Sequence, residues 1–270
     1  MRFIIRATSL TGILGLCLLS LVAAAQAPPP PPPHAAGFMG IGPMGGPFGD
    51  IGEIKPVKGS PLTAEIVVTR EMTLADGNHI RNESQSKVYR DNEGRVRREM
   101  GVDLATPLTG KIKHNLIVIT DPVAGTRYVL NPDNKTARQV PMRGGPNHGD
   151  KTRGEHIGAG PEGAPGITKE QLGTKSINGI QAEGVRVTRT IAAGEMGNER
   201  PISVVTERWY SPDLQLAVLT VHTDPMMGTV TAKLVNVTQG TPDALLFQLP
   251  SDYAVQSGKS GDPMFVPMKP

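Results

Sequence analysis

Apolar and polar residues alternate with period two along most of this chain, the signature of half-buried strands. From Ala64 to Leu74 the alternation puts Ala64, Ile66, Val68, Met72 and Leu74 on one face, with Arg70 among them. Asp76-Gly77-Asn78 then makes a turn, and a second long strand runs from His79 to Arg90. A two-residue loop would set Leu74 opposite His79 and Ile66 opposite Lys87. A three-residue loop pairs Leu74 with Ile80 and Ile66 with Val88, keeping like with like. Register follows the apolar face, so the pattern predicts the three-residue loop, with Asn78 left-handed. Asp91-Asn-Glu-Gly94 turns the chain into a third strand, Arg95 to Val102.

Strands at 115–120, 126–130 and 135–140 continue the meander, separated by Asp121-Pro122 and Asn131-Pro132-Asp133-Asn134 turns. Further on, Ile177-Asn178-Gly179-Ile180 carries a strong hairpin signal, Asn-Gly between apolar residues. Strands at 180–191, 202–210, 214–223 and 229–238 follow. Thr241-Pro242-Asp243 opens one short helical turn ending near Phe247, with Thr241 as N-cap and Pro242 in the first position. No segment keeps the apolar spacing of an amphipathic helix for 10 or more residues. The expected fold is therefore mainly β, a curved antiparallel meander sheet (half-barrel or open barrel) with short helical turns only.

The first 25 residues follow a different pattern. Arg2 and Arg6 precede an apolar run from Leu10 to Val22, and Ala23, Ala24 and Ala25 follow, the order of a secretory signal peptide. Cleavage after Ala25 leaves Gln26 first. Cleavage after Ala27 would put Pro28 directly after the cut, where its fixed φ and missing N–H suit a protease cleft poorly. An uncleaved anchor is the alternative, since about 19 apolar residues can just span a bilayer. The sequence thus places the protein in the periplasm or outside the cell, with no integral span once the signal is gone.

Composition sharpens this reading. Cys17, the only cysteine, lies within the signal, which excludes disulfides, Cys-ligated metal and a thiol nucleophile from the mature chain. Without Arg2 and Arg6 the 28 bases become 26 against 25 acids, a net charge of +1. That balance gives no support to a nucleic-acid partner. Glycine and proline concentrate in two stretches: 15 of the 25 residues at 28–52, including the run Pro28 to Pro33, and 12 of the 26 at 141–166. The first reads as a Pro/Gly-rich disordered spacer over 26–57. The second reads as a flexible insertion loop in a β domain spanning 58–255, with a flexible tail at 256–270.

Thr120-Asp-Pro-Val-Ala-Gly-Thr126 and Thr223-Asp-Pro-Met-Met-Gly-Thr229 share one pattern at an offset of 103. They are either two independent tight turns or the trace of a duplicated unit. Gly-x-Gly-x-x-Gly occurs at Gly40–Gly45 and Gly158–Gly163, but both lie in Gly/Pro coil without the strand and helix a dinucleotide needs. No metal-ligand spacing, nucleophile motif or cofactor signature is present, so no cofactor or metal is expected and the chain reads as non-enzymatic. One polar constellation stands out. In the expected register Arg70 falls opposite Ser84, with Asn82 and Ser86 on the same face, and Arg98 joins if Val88 pairs with Val96. Inward-facing guanidiniums are costly unless paired, so these five residues are the ligand-binding candidates, unless this end of the sheet is open to solvent.

The second half resembles a known family. Leu172-Gly-Thr-Lys-Ser-Ile-Asn-Gly-Ile-Gln-Ala-Glu-Gly-Val185, the Trp209-Tyr210-Ser-Pro-Asp-Leu hairpin, Val221-His-Thr-Asp-Pro and Leu246-Phe247-Gln-Leu-Pro250-Ser-Asp-Tyr253-Ala-Val are similar to the LolA-like periplasmic lipoprotein-carrier superfamily. They are similar also to uncharacterised exported bacterial proteins. The resemblance covers roughly 170–255 and rests on hairpin punctuation. It implies an incomplete barrel whose apolar concave side holds acyl chains. Carriers of this kind cover the open side with helices, which this chain lacks, so the fold carries over and the lipoprotein cargo and ligand residues do not. The expected function is an exported β-domain that binds a lipid or other amphiphile on its concave face. The alternative is a structural or interaction module with a filled core and an envelope protein as partner.

Overall fold

The alternating segments form strands because each has one apolar face to bury and turn chemistry at its ends. The structure is a computed structural model that describes residues 54–106, 110–142 and 164–258. In chain order the elements are β1 (Leu62–Thr73), β2 (His79–Arg90), β3 (Val96–Thr106), β4 (Gly110–Asp121), β5 (Thr126–Asn131) and β6 (Thr136–Pro141). Then come β7 (Ile167–Ile177), β8 (Ile180–Ile191), β9 (Ile202–Ser211), β10 (Leu216–Asp224), β11 (Gly228–Gln239), a 3-10 turn (Ala244–Phe247) and β12 (Ala254–Ser257). They make one 12-stranded sheet in the order β12-β6-β5-β4-β3-β2-β1-β11-β10-β9-β8-β7. Two antiparallel meanders, β1 to β6 and β7 to β11, are thus stitched together by pairing β1 with β11. β12 adds to β6 in parallel. With β7 and β12 as its two edges the sheet stays open, as the half-barrel expectation has it.

The sheet curls. β2 and β10 stand three places apart, roughly 14 Å in a flat sheet, further than an arginine side chain reaches. Yet Arg90, the last residue of β2, donates from Nη2 to the carbonyl of Leu214 in the β9–β10 turn, and from Nε to the carbonyl of Ser60 at 2.7 Å. One core cluster correspondingly joins Leu62, Ala64 and Ile66 of β1 and Val88 of β2 to Trp209, Leu216 and Val218 on the far limb. Register shifts in β1/β11, β9/β10 and β7/β8 help the bend. Such bulges increase local twist, and Asn236 (φ 52°) and Gly173 (φ 74°) take left-handed conformations beside two of them.

Opposite faces of β3 to β6 have different covers. Met100, Leu116, Val118 and Val129 continue the inner face. On the outer face Ile119, Leu130 and Ala137 are packed by Leu249 and Tyr253 from the chain end. The 3-10 turn is tied there as well: Arg97 Nη1 donates to the Leu246 carbonyl at 3.0 Å, and the Arg95 guanidinium lies 5.3 Å from the Phe247 ring centroid.

Several expectations need correction. The first hairpin has a three-residue loop, but it is Ala75-Asp76-Gly77: Leu74 N–H donates to the Asn78 carbonyl at 2.8 Å, and Gly77, not Asn78, is left-handed at φ 84°. Asp76 Oδ1 accepts from Asn78 N at 2.9 Å, so the Asx turn starts one residue earlier than the Gly-Asn pair suggests. The helical turn is capped by Asp243, whose side chain accepts from Leu245 N, not by Thr241. Packing begins inside the segment assigned to the spacer, because Ile54 is only 9% exposed and belongs to the core. β12 takes up the first residues of the assigned tail, Gln256 and Ser257. The two Thr-Asp-Pro segments close different turns, since Asp121 pairs with Thr126 whereas Asp224 pairs with Gly228. The Asn178-Gly179 hairpin is as expected, both residues having positive φ. The signal, residues 26–53, 143–163 and 259–270 lie outside the described residues.

Candidate functional site

Three rows of paired residues cross the inner face of the first meander. They run Leu62–Arg90–Val96–Thr120–Arg127, Ala64–Val88–Arg98–Val118–Val129 and Ile66–Ser86–Met100–Leu116. Polar groups interrupt these aliphatic rows at β2 (Ser86, Arg90), β3 (Arg98), β4 (Thr120) and β5 (Arg127). Where the first two rows meet there is a cleft of about 40 Å³. Val88, Val96 and Val118 form its floor, Arg98, Arg127 and Thr120 bring donors, and Ile54 and Pro56 reach it from the chain before β1. A second cleft, of about 10 Å³, lies beside Ile66, Thr220, Ala232 and Leu234, and Ile54 borders it too. One isoleucine therefore occupies the middle of the inner face.

The volumes set what the clefts hold. A water needs roughly 10–15 Å³ by this measure, so the first has room for about three waters or a group of similar size. Sites for whole small molecules run to several hundred Å³. With Ile54 in place, neither cleft holds an acyl chain.

The five sequence candidates separate. Register puts Arg70 opposite Asn82, not Ser84, and Val88 opposite Arg98, not Val96. Both shifts move the partner strand by two residues, so all five keep their common face. Only part of that face is covered: Asn82 and Ser84 are exposed and Arg70 is half-buried. Their end of the sheet is open to solvent, as the alternative reading had it. Ser86 is 6% exposed, and its Oγ accepts from Arg98 Nε at 3.3 Å. Ser86 and Arg98 thus come together, and of the five only Arg98 lines a cleft.

Sequence reasoning missed Arg127, Thr120, Arg90 and Ile54. Arg127, the second residue of β5, lies opposite Thr120, and the even-numbered face of β2 runs on through Val88 to Arg90. Both would follow from carrying register across strands. Arg90 is the more costly residue, fully buried. Its guanidinium is held below the usual arginine value mainly by desolvation, with Tyr210 opposing. It is satisfied by backbone carbonyls at Nε and Nη2, and Nη1 meets no acceptor among the described residues.

Towards the open end, pairing carries the row Arg70–Val230–His222–Thr206 from β1 to β9. His222 Nδ1 and Thr206 Oγ1 share a hydrogen bond of 2.8 Å. Burial holds the His222 imidazole below its usual value near 6.5, and the carboxylate of Asp224 opposes that. A histidine whose folded value is lowered binds protons more readily when unfolded. Its penalty is absent above pH 6.5 and grows as the pH falls from there towards the folded value. Urea melts of the wild type should therefore lose stability on acidification through that window. His222→Gln, which cannot take up the proton, should shrink this loss, and an unchanged pH profile would contradict the assignment.

No protein-family model matches the chain, and no curated protein matches it. Solved structures do. An uncharacterized conserved protein from Thermus thermophilus is 12% identical with a TM-score of 0.41, over 74% of this chain and 91% of that one. A chain of the Pseudomonas aeruginosa MucA/MucB complex is 12% identical with a TM-score of 0.38, over 73% of this chain, which spans only 58% of that one. LprF from Mycobacterium bovis is 16% identical with a TM-score of 0.35, over 72% of this chain and 90% of LprF. At such identities each likeness concerns the path of the chain and not its cargo or partners.

Proposed function

We propose that this is a non-enzymatic, exported β-domain that takes the apolar part of a lipid or other amphiphile along the inner face of its sheet, in the place now held by Ile54 and Pro56. The observation that carries the reading is the position of Ile54. The inner face is aliphatic from β4 through β1 to β10, and one short segment lying before the first strand reaches both of its clefts. Burying one isoleucine side chain is worth about 1.5–3 kcal/mol, which an acyl chain of a dozen carbons exceeds several-fold at about 0.8 kcal/mol per methylene. Export rests on the Arg2-to-Ala25 pattern, and the proline run from Pro28 to Pro33 would hold the domain away from its anchor or partner.

A second reading is favoured by the clefts of about 40 and 10 Å³: a filled β core that serves as an interaction module of the cell envelope. Native mass spectrometry of the full chain purified from cells, before and after solvent extraction, separates the two. The amphiphile reading expects an adduct of lipid mass that extraction removes and oleate restores. A bare protein mass that oleate leaves unchanged would overturn it in favour of the filled module.

A further inference from the structure

We propose that residues 54–58 form a gate that pivots at Gly59, latches on the β2–β3 turn at Gly94, and shuts the inner face while Ile54 is docked. The inference rests on the amphiphile reading only for what passes the gate, since the movement belongs to the empty protein. Three features carry it. First, the ties stop at Gly59. The Ser60 carbonyl accepts from Arg90 Nε at 2.7 Å and its Oγ from Gln215 Nε2 at 3.3 Å. Pro61 accepts from Gly240 N at 3.2 Å, and Gly59 N donates to the Asn92 carbonyl at 3.0 Å. Before Gly59, residues 54–58 make no hydrogen bond or ion pair among the described residues. Apolar contact holds them, chiefly through Ile54, while Lys55 and Lys58 are exposed. Second, the boundary residue is free to turn. Gly59 sits at φ 77°, and nothing lies within 4 Å of the place a Cβ would take. Without a side chain it leaves the left-handed region at little cost. Third, the latch is a close approach of two backbones. A Cβ at Gly94 would fall 3.1 Å from Val57 N and C and 3.3 Å from Lys58 N, so a glycine there lets the segment settle on the turn.

These features bring the shut and open states close in free energy. Closing buries one isoleucine side chain. Opening returns backbone freedom to residues 54–58 and breaks the single bond from Gly59 to Asn92. The peptide between Lys58 and Gly59 turns with the gate, so the Gly59 amide reports each opening. With the gate shut, clefts of about 40 and 10 Å³ have room for waters or groups of that size. Ile54 borders both clefts, so its withdrawal joins them along the inner face.

Native-state hydrogen exchange of the full chain in low urea tests this without a ligand. The variants are Ile54→Ala, which weakens the docked state, and Gly94→Ala, which presses on the latch. Gly77→Ala is the control. Gly77 has φ 84° in the β1–β2 turn and nothing within 4 Å of its Cβ position, so it carries the same backbone strain without touching the gate. The gate predicts that the Gly59 amide exchanges almost independently of urea, well before the central-strand amides of Val88 and Val118. Ile54→Ala should speed it roughly tenfold or more, Gly94→Ala should speed it several-fold, and Gly77→Ala should leave it unchanged. A Gly59 amide indifferent to Ile54→Ala frays on its own and overturns the gate. One with the steep urea dependence of Val88 opens only on global unfolding and overturns it too, as does a Gly94→Ala protein that matches Gly77→Ala. Saturating oleate, with binding followed by isothermal titration, separates the gate from the amphiphile reading. Bound oleate should leave the Gly59 amide unprotected. Oleate that binds while Gly59 stays protected would overturn the gate and leave the amphiphile reading intact. Exchange as predicted with oleate silent would sustain the gate and count against the amphiphile.

Discussion

Replacing Trp209 with alanine should destabilise the protein by about 3–5 kcal/mol. The indole is 6% exposed and belongs to the core cluster that joins the two limbs of the sheet. It pairs across β8 with Gly184, where an added Cβ would fall 2.6 Å from the ring carbons, so the ring lies flat on the glycine backbone. Lys175 of β7 sits 3.6 Å from the ring centroid, and because the lysine is exposed this cation–π contact adds about 0.5–1 kcal/mol. Trp209→Phe should cost much less, because the indole Nε1 makes no hydrogen bond among the described residues and only volume is lost. Gly184→Ala attacks the same contact from the other side, for about 1–3 kcal/mol of overpacking. Urea denaturation followed by near-ultraviolet circular dichroism gives all three values. A Trp209→Ala protein within 1 kcal/mol of wild type would mean that the cluster does not join the limbs.

The second large effect belongs to Arg90, whose replacement by alanine should cost about 3 kcal/mol. Two opposing contributions decide the sign. Taking a guanidinium out of water is expensive, and among the described residues no carboxylate repays it, since its bonds go to the carbonyls of Ser60 and Leu214. Removing the side chain ends that penalty but leaves two buried carbonyls without donors and a cavity beside Leu62 and Val96, its partners on β1 and β3. Loss of two charged hydrogen bonds, at about 1.5–3 kcal/mol each, exceeds the penalty relieved. Arg90→Met keeps most of the volume and should recover about half of the loss. Hydrogen exchange at Leu214 and Gln215 separates a local from a global effect: faster exchange there in Arg90→Met would show that this bond holds the β9–β10 turn against β1. A methionine variant as stable as wild type would show that packing alone maintains the curl.

Local grammar carried most of the fold. Alternation located the strands, and Asn178-Gly179 closed its hairpin as its composition requires. The face assignments of Arg70, Ser86 and Arg98 survived although both registers slipped by two residues, because a slip of two preserves the side-chain face. What failed was longer in range. Nothing local in β1 or β11 says that they pair, and this contact turns two meanders into one curled sheet. Ile54 went unread because a single apolar residue beside a Gly/Pro run has no periodicity to mark it. Arg127 was missed because its neighbour in the cleft, Arg98, lies two strands away. The sequence spreads the polar face from Arg70, Asn82 and Ser84 to Ser86 and Arg98, whereas curvature covers it only around the last two. Burial along a strand depends on what the sheet closes over.

Whether Ile54 holds a place that an apolar ligand would take is tested most directly by the affinity for oleate of the full chain and of its Ile54→Ala variant, by isothermal titration. If Ile54 competes for the inner face, each binding event works against the burial of one isoleucine, and truncating it should tighten oleate binding roughly tenfold or more. Weaker or equal binding by the variant, or no binding by either protein, would make Ile54 a permanent part of a packed interior and contradict the account.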